Sequence, residues 1–204
     1  MFTGLIEAVG RAADVQRTAA GLRLRIATAL ASEMTCGDSL GVNGVCLTVV
    51  TSGGGHVECD VGPETMRVTT LGMLQGGEAL NLERPMRADG RVGGHFVLGH
   101  VDGTGRVVQI REDGDARRLT VAFSADLGPY LVSKGSVAVD GISLTIAALG
   151  ERTFEVMIVP YTWEHTNLQG RAAGDPVNLE CDVIGKYVVR AAGLAAGTDS
   201  GRYR

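Results

Sequence analysis

Two short stretches of this chain set sulfur and hydroxyl groups beside glycine, where a small molecule can reach them. Residues 41–49 read GVNGVCLTV and residues 138–146 read AVDGISLTI. In each, Asn or Asp followed by Gly makes a tight turn with positive φ, and the strand leaving the turn alternates its side chains. Leu47 and Leu144 then face a core. Cys46 and Thr48 in one copy, and Ser143 and Thr145 in the other, share the opposite face next to a glycine that lets a ligand approach the backbone closely. For a single copy, an equally good account is that the hydroxyls tie off turn backbone. The double occurrence favours a ligand face.

The remaining candidates for chemistry are fewer. His95 and His100 stand close together in GGHFVLGHVDG, with Asp102 after them. Residues five apart point to opposite sides of a strand, so no metal site is expected. They read as structural histidines bonded to backbone in a glycine-rich interdomain link, His95 more so than His100. The sequence contains no GxGxxG, GxxxxGK[ST] or GxSxG, and no cofactor is expected. Cys36, Cys46, Cys59 and Cys181 show no CxxC spacing and read as thiols. Of these, Cys36, Cys59 and Cys181 are expected as buried small hydrophobes.

What must position these groups is a unit written twice. Aligned without a gap at an offset of 97, residues 38–83 and 135–180 agree at 15 of 46 positions. A period this long exceeds solenoid repeats and implies two homologous domains, 1–97 and 98–185, within the usual domain size. Short β-rich runs lie between Gly, Asp, Asn and Ser clusters: Leu22–Ile26, Leu40–Val42, Val45–Val50, His56–Val61, Leu80–Leu82, Val92–Val97, Val107–Ile110 and Leu119–Ala122. That rhythm predicts an all-β fold of sandwiches or barrels. Pro63–Leu71 and Pro160–Leu168 each open on proline and read as short helices plugging a barrel end. From Ile184 to about Ala196 the apolar residues take helical spacing, and a single helix cannot bury that stripe alone.

With 19 basic and 23 acidic residues, the net charge of −4 offers no field for nucleic acid or an anionic membrane. No apolar run reaches the roughly 18–20 residues of a membrane span, and MFTGLIEAVG lacks the basic start and long apolar core of a signal peptide. A cytoplasmic address and a small-molecule partner are expected.

Taken together, MFTGLIE, GDSLGVNGVCLTV, GPETMRVTTLG, GGHFVLGHVDG, KGSVAVDGISLTI and VNLECDVIGKYV resemble the riboflavin synthase family, from residue 1 to about 190. The resemblance implies two Greek-key β-barrels in tandem and a carboxy-terminal helix, residues 186–204, that assembles a homotrimer. It implies a pocket for 6,7-dimethyl-8-ribityllumazine in each barrel. It also implies a reaction without cofactor or metal: one lumazine gives a four-carbon unit to another, yielding riboflavin and a pyrimidine diamine. Two identical molecules with unlike jobs call for two similar pockets that differ in chemistry, and Cys46 against Ser143 is such a difference. Docking inside a lumazine synthase capsid is left open.

Carried over residue by residue, the resemblance assigns Gly4, Leu5, Ile6, Cys46, Leu47, Thr48, Asp60, Val61, Gly62, Pro63, Glu64 and Thr65 to the first pocket. To the second it assigns Gly99, His100, Val101, Lys134, Ser143, Leu144, Thr145, Val159, Pro160, Tyr161, Thr162, Trp163 and Glu164. For catalysis it points to Ser39, Cys46, His100, Ser143, Thr145 and Asp182. His100, Ser143 and Thr145 are expected to take the proton from the donor's C7 methyl and hold the anion. Cys46, with Ser39, is expected at the acceptor's C7 as nucleophile or proton donor, and Asp182 to reach between pockets. The resemblance places the meeting of pockets between chains, Cys46 of one subunit with Ser143 of its neighbour. Tyr161, Trp163 and His165 make the second plug unusually aromatic; Trp163 is read as core or interface packing ahead of ring stacking on the ligand. Antenna proteins of the same fold bind the chromophore without catalysis, and retention of Cys46, His100, Ser143, Thr145 and Asp182 argues for the enzyme.

Overall fold

The computed structural model describes residues 1–196; residues 197–204 of the expected carboxy-terminal segment lie outside them. Alternation of buried and exposed residues is clearest in the longer strands. In β2 (Gly21–Ala27), Leu22, Leu24 and Ile26 are buried while Arg23 and Arg25 face solvent. With β1 (Ala8–Thr18), β3 (Ser39–Val42), β4 (Val45–Gly53), β5 (His56–Val61) and β6 (Ala79–Glu83), it forms a closed antiparallel barrel in the order β1-β2-β5-β4-β3-β6. β7 (Gly103–Asp113), β8 (Ala116–Ala122), β9 (Ser136–Val139), β10 (Ile142–Leu149), β11 (Thr153–Ile158) and β12 (Pro176–Cys181) repeat the same order in a second barrel. Closure leaves no sheet edge unpaired. Bulges fall at matching places, Ala12/Asp14 with Val107/Gln109 and Val49/Thr51 with Ile146/Ala148, and bend the strands alike.

Each barrel has its own apolar interior, such as Leu24, Leu40 and Leu82 in the first and Val121, Ile146 and Phe154 in the second. Every such side chain removed from water contributes about 1.5–3 kcal/mol. The expected plugs divide. α1 (Pro63–Val68) ends at Thr69, whose extended backbone (φ −124°) and side-chain oxygen, accepting from Leu71 N–H, start a separate short 3-10 helix. α2 (Pro160–Glu164) is followed in the same way by Thr166. The expected strand Val92–Val97 does not form. It makes one isolated bridge, Phe2 to Val97, and a hydrogen bond from His95 N–H to the Thr3 carbonyl (3.1 Å), while Gly93 and Gly94 fold against Leu5, Thr3 and Ser143. α3 (Val183–Ala195) leaves Ile184, Tyr187, Val188 and Leu194 more than half exposed.

The barrels meet about a pseudo-twofold axis through the two Asn/Asp-Gly turns. Asn81 Nδ2 donates to the Asp140 carbonyl (3.0 Å), and Asn178 Nδ2 donates to the Asn43 carbonyl (2.8 Å). Within each barrel the turn side chain answers: Asn43 Oδ1 accepts Asn81 N–H, and Asp140 Oδ1 accepts Asn178 N–H, both at 2.8 Å. All four residues are buried, so each unmade bond would cost the desolvation of its group. Gly44 (φ +77°) and Gly141 (φ +81°) touch at the axis; a Cβ on either would lie 2.7 Å from the other's amide nitrogen. Gly44→Ala should therefore cost roughly 3 kcal/mol or more in thermal unfolding. Gly37→Ala, also at positive φ (+96°) but with open space around it, should cost only about 1–2 kcal/mol.

Candidate functional site

The β3–β4 register pairs Ser39 with Thr48 and Gly41 with Cys46, and β9–β10 pairs Ser136 with Thr145 and Ala138 with Ser143. Leu47 and Leu144 point into the cores. Ser39, Cys46 and Thr48 consequently share the outer face of one hairpin, and Ser143 and Thr145 that of the other. Cys46 and Ser143 are half-buried, whereas Thr48 and Thr145 are exposed.

What covers these faces differs from expectation. The Gly99 carbonyl accepts Cys46 N–H (2.9 Å), and the Gly4 carbonyl accepts Ser143 N–H (2.8 Å). Val101 packs against the first core and Ile6 against the second. The segments are crossed: Gly99, His100 and Val101 wall the first barrel's hairpin, and Gly4, Leu5 and Ile6 wall the second. Both glycines are required. At φ +75° and +80°, a Cβ on Gly4 would lie 2.6 Å from Ser143 Cβ, and one on Gly99 would lie 2.5 Å from Cys46 Cβ. His100 thus belongs to the wall over Cys46 and not with Ser143 and Thr145. Its exposed side chain lines a cleft of about 640 Å³ with Tyr130 and Lys186.

Ser143 has a different histidine. His95 Nδ1 lies 2.7 Å from Ser143 Oγ, so the backbone-bonded role expected of this residue is replaced by a side-chain one. Burial pulls the imidazole pKa below its ordinary value, while the Asp182 carboxylate pulls the other way. A neutral ring carries its hydrogen on one nitrogen and accepts at the other, so Nδ1 either accepts the Ser143 hydroxyl or donates to it. The other nitrogen, Nε2, is buried and has no hydrogen-bond partner among the described residues. The signal in the sequence was the GlyGly before His95: a Cβ on Gly94 would sit 2.8 Å from Ser143 Oγ. Among the described residues no histidine bonds Cys46. Asp182 caps α3, its Oδ1 accepting Ile184 N–H (3.0 Å).

The barrel mouths also differ. At the first, Asp60 pairs with Arg23 (2.7 Å), which holds the Asp60 carboxyl below the usual range, and Glu64 pairs with Arg67. Gly62 caps α1, Pro63 opens it, Val61 is buried in the core, and the Thr65 carbonyl accepts Thr69 N–H. At the second mouth the corresponding Met157, Val159 and Tyr161 are exposed and apolar or aromatic. Tyr161 stacks on His165 with ring centroids 4.0 Å apart. Trp163 packs against the second core with Arg117 over its face at 4.4 Å. Pro160 starts α2, Thr162 carbonyl accepts the Thr166 hydroxyl, and Glu164 ends the helix. Lys134 takes φ +66° where the first barrel has Gly37, a conformation that costs a non-glycine residue strain. Cys59 and Cys181 are buried, their thiols pushed up to about 12 by desolvation, but Cys36 is exposed, against expectation. No group of three or more His, Cys, Asp or Glu side chains among the described residues is arranged to hold a metal ion.

The family model described as the lumazine binding domain matches twice, at residues 3–85 and 98–182. The chain is 43% identical to riboflavin synthase of Mycobacterium bovis, covering 93% of this chain and 97% of that one. It is 42% identical to riboflavin synthase of Bacillus amyloliquefaciens (93% and 89%) and 41% identical to that of Schizosaccharomyces pombe (92% and 91%). The fold is similar to crystal structures of LumP complexed with riboflavin (TM-score 0.84) and with 6,7-dimethyl-8-(1'-D-ribityl) lumazine (0.81), each 24% identical, covering 89% of this chain and 99% of that one.

The His95 environment sets a pH dependence. Below the ordinary histidine pKa of about 6.5, the unfolded chain binds a proton that folded His95 refuses, so stability falls as pH drops through the window down to the folded value. NMR titration of the imidazole should place His95 below free histidine, and Asp182→Asn should lower it further. His95→Gln should flatten the acid side of the stability profile.

Proposed function

The chain belongs to the riboflavin synthase family, and from that membership we propose that it converts two molecules of 6,7-dimethyl-8-ribityllumazine into riboflavin and 5-amino-6-(D-ribitylamino)uracil. The observation that carries the reading is a doubled fold whose like hairpins present unlike groups, Cys46 in one barrel and Ser143 with His95 in the other. The two products together contain every atom of the two substrates, so the transfer of four carbons calls for no external oxidant or reductant. Holding both rings converts an encounter in solution into a fixed geometry.

In this reading neutral His95, through Ser143 and with Thr145 beside it, draws the proton from the donor's C7 methyl, whose anion the ring delocalises. Cys46, with Ser39 and Thr48 on its face and His100 in the wall above, meets the electrophilic C7 of the acceptor as nucleophile or proton donor. Backbone groups of the two walls bind the heterocycle edges. Burial keeps His95 neutral, and the Asp182 charge opposes that shift. Lys134, Asp60 and Glu64 meet the ribityl hydroxyls. The residue ranges 1–97, 98–185 and 186–204 are assigned to first barrel, second barrel and assembly helix. The exposed stripe of α3 supports a homotrimer in which the first barrel of one subunit faces the second barrel of its neighbour. A cytoplasmic address and a lumazine synthase capsid as partner go with this reading. Binding of lumazine without turnover would move the chain to the antenna class, whose fold LumP shares.

Purified protein given lumazine alone should form one riboflavin per two lumazines, read by visible absorbance; stable binding without product would overturn the assignment. Cys46→Ala and Ser143→Ala should each be nearly inactive. Unfolded and refolded together, they should recover up to roughly a quarter of full activity, since random pairing of neighbours leaves that share of sites intact. No recovery in mixed oligomers verified by mass spectrometry would put the site within one chain.

A further inference from the structure

The crossing of the walls has a cause in two buried carboxylates. Glu83 ends β6, and Glu180 stands next to the end of β12; they are 6% and 2% exposed. Glu83 Oε1 accepts Thr3 N–H (2.6 Å) and the Thr3 hydroxyl (2.8 Å), and its Oε2 accepts Gly4 N–H (2.9 Å). Glu180 Oε1 accepts Leu98 N–H (2.7 Å), and its Oε2 accepts Gly99 N–H and His100 N–H, both at 3.0 Å. Adjacent amides point one way because a left-handed glycine turns the chain, making the concave amide arrangement that binds anions. The same glycines send their carbonyls to the opposite barrel, Gly4 to Ser143 and Gly99 to Cys46.

We propose that Glu83 and Glu180 are positioning residues that act crosswise, each carboxylate rooted in one barrel and setting the wall over the reactive hairpin of the other. The hydrogen-bond chain runs from Glu180 through Gly99 to Cys46, and from Glu83 through Gly4 to Ser143. Only a carboxylate serves, since it has acceptors alone, whereas glutamine turns an N–H₂ toward amides that also donate. Asp102 reinforces the second anchor. Its Oδ2 accepts Cys181 N–H (2.8 Å), and its Oδ1 pairs with Lys186 of α3 (2.8 Å), fixing the end of the wall to the second barrel. Glu7, paired with Arg84 (2.7 Å), does the same for the first. That these walls bound the lumazine pockets rests on the proposed function; the crossing does not.

The test uses the full chain and residue-resolved amide hydrogen exchange, which requires no substrate. In Glu180→Gln, Cys46 N–H should exchange about tenfold faster or more, while Ser143 N–H stays within about twofold of the unaltered protein; Glu83→Gln should reverse the pattern. A residue that merely stabilised its own barrel would instead loosen Ser143 and the β9–β12 amides in Glu180→Gln. That result, equal effects on both hairpins, or no effect on either would overturn the proposal. Should a glutamine variant fail to fold, Glu180→Asp and Glu83→Asp, one carbon too short to reach all three donors, must show the same crossed pattern or the proposal falls. Riboflavin formation, measured alongside, separates the two claims. Crossed exchange with kcat and KM unchanged leaves the positioning intact and removes the walls from the lumazine pockets.

Discussion

Asn81 and Asn178 exchange amide hydrogen bonds across the barrel interface, and the arrangement of both pockets depends on that exchange. Each side-chain amide is spent on the other barrel's turn, so the Asn43-Gly44 and Asp140-Gly141 turns are held against each other at the pseudo-twofold axis. Thr70 N–H and Asn167 N–H complete the set by donating to Asn178 Oδ1 and Asn81 Oδ1. Buried amides bonded within such a network tolerate little displacement, since any slip strands a donor and an acceptor without water. The reactive hairpins begin at these turns. The register within each barrel sets which side chains face outward, and the interface sets how the two hairpins stand relative to each other.

Around a symmetric frame the chain places unsymmetric chemistry. Asp140 stands where the first barrel has Asn43, and its charge is met by Arg171 (2.6 Å), where the first barrel has Leu74. Ser143 has His95 against it, whereas Cys46 has no imidazole partner. One mouth is ringed by ion pairs, which being exposed contribute little to stability, and the other by Met157, Val159 and Tyr161. A dismutation needs this combination: pockets similar enough to hold the same molecule, different enough to make one copy give and the other receive.

Crossed walls tie the halves together in a second way. Because Gly4 and Gly99 each lie against the opposite barrel, neither pocket is complete within its own repeat. The buried Glu83 and Glu180 carboxylates, raised in pKa by desolvation against the opposing pull of the N–H groups whose hydrogen bonds they accept, anchor these segments. On its half-buried side α3 meets the same wall through Lys186 and Asp102, so the helix is bonded to the segment over Cys46.

Much of this was legible in the residues. Period-two alternation in Leu22–Ile26 and Val45–Val50, the two Asn/Asp-Gly turns and the long repeat determined strands, hairpins, two homologous domains and the outward faces of Cys46, Thr48, Ser143 and Thr145, because backbone geometry alone dictates which side chains share a face; the choice of barrels over sandwiches came from the family resemblance. The break of the plugs at Thr69 and Thr166 was not read, although a capping threonine marks it. The crossing of Gly4 and Gly99, the place of His100 and the meeting of His95 with Ser143 were decided only by tertiary structure. A repeat aligns each segment with its counterpart but carries no information on which barrel the segment packs against. That choice is made by long-range hydrogen bonds between residues about eighty positions apart, where the glycines admit the approach and the buried carboxylates fix its direction.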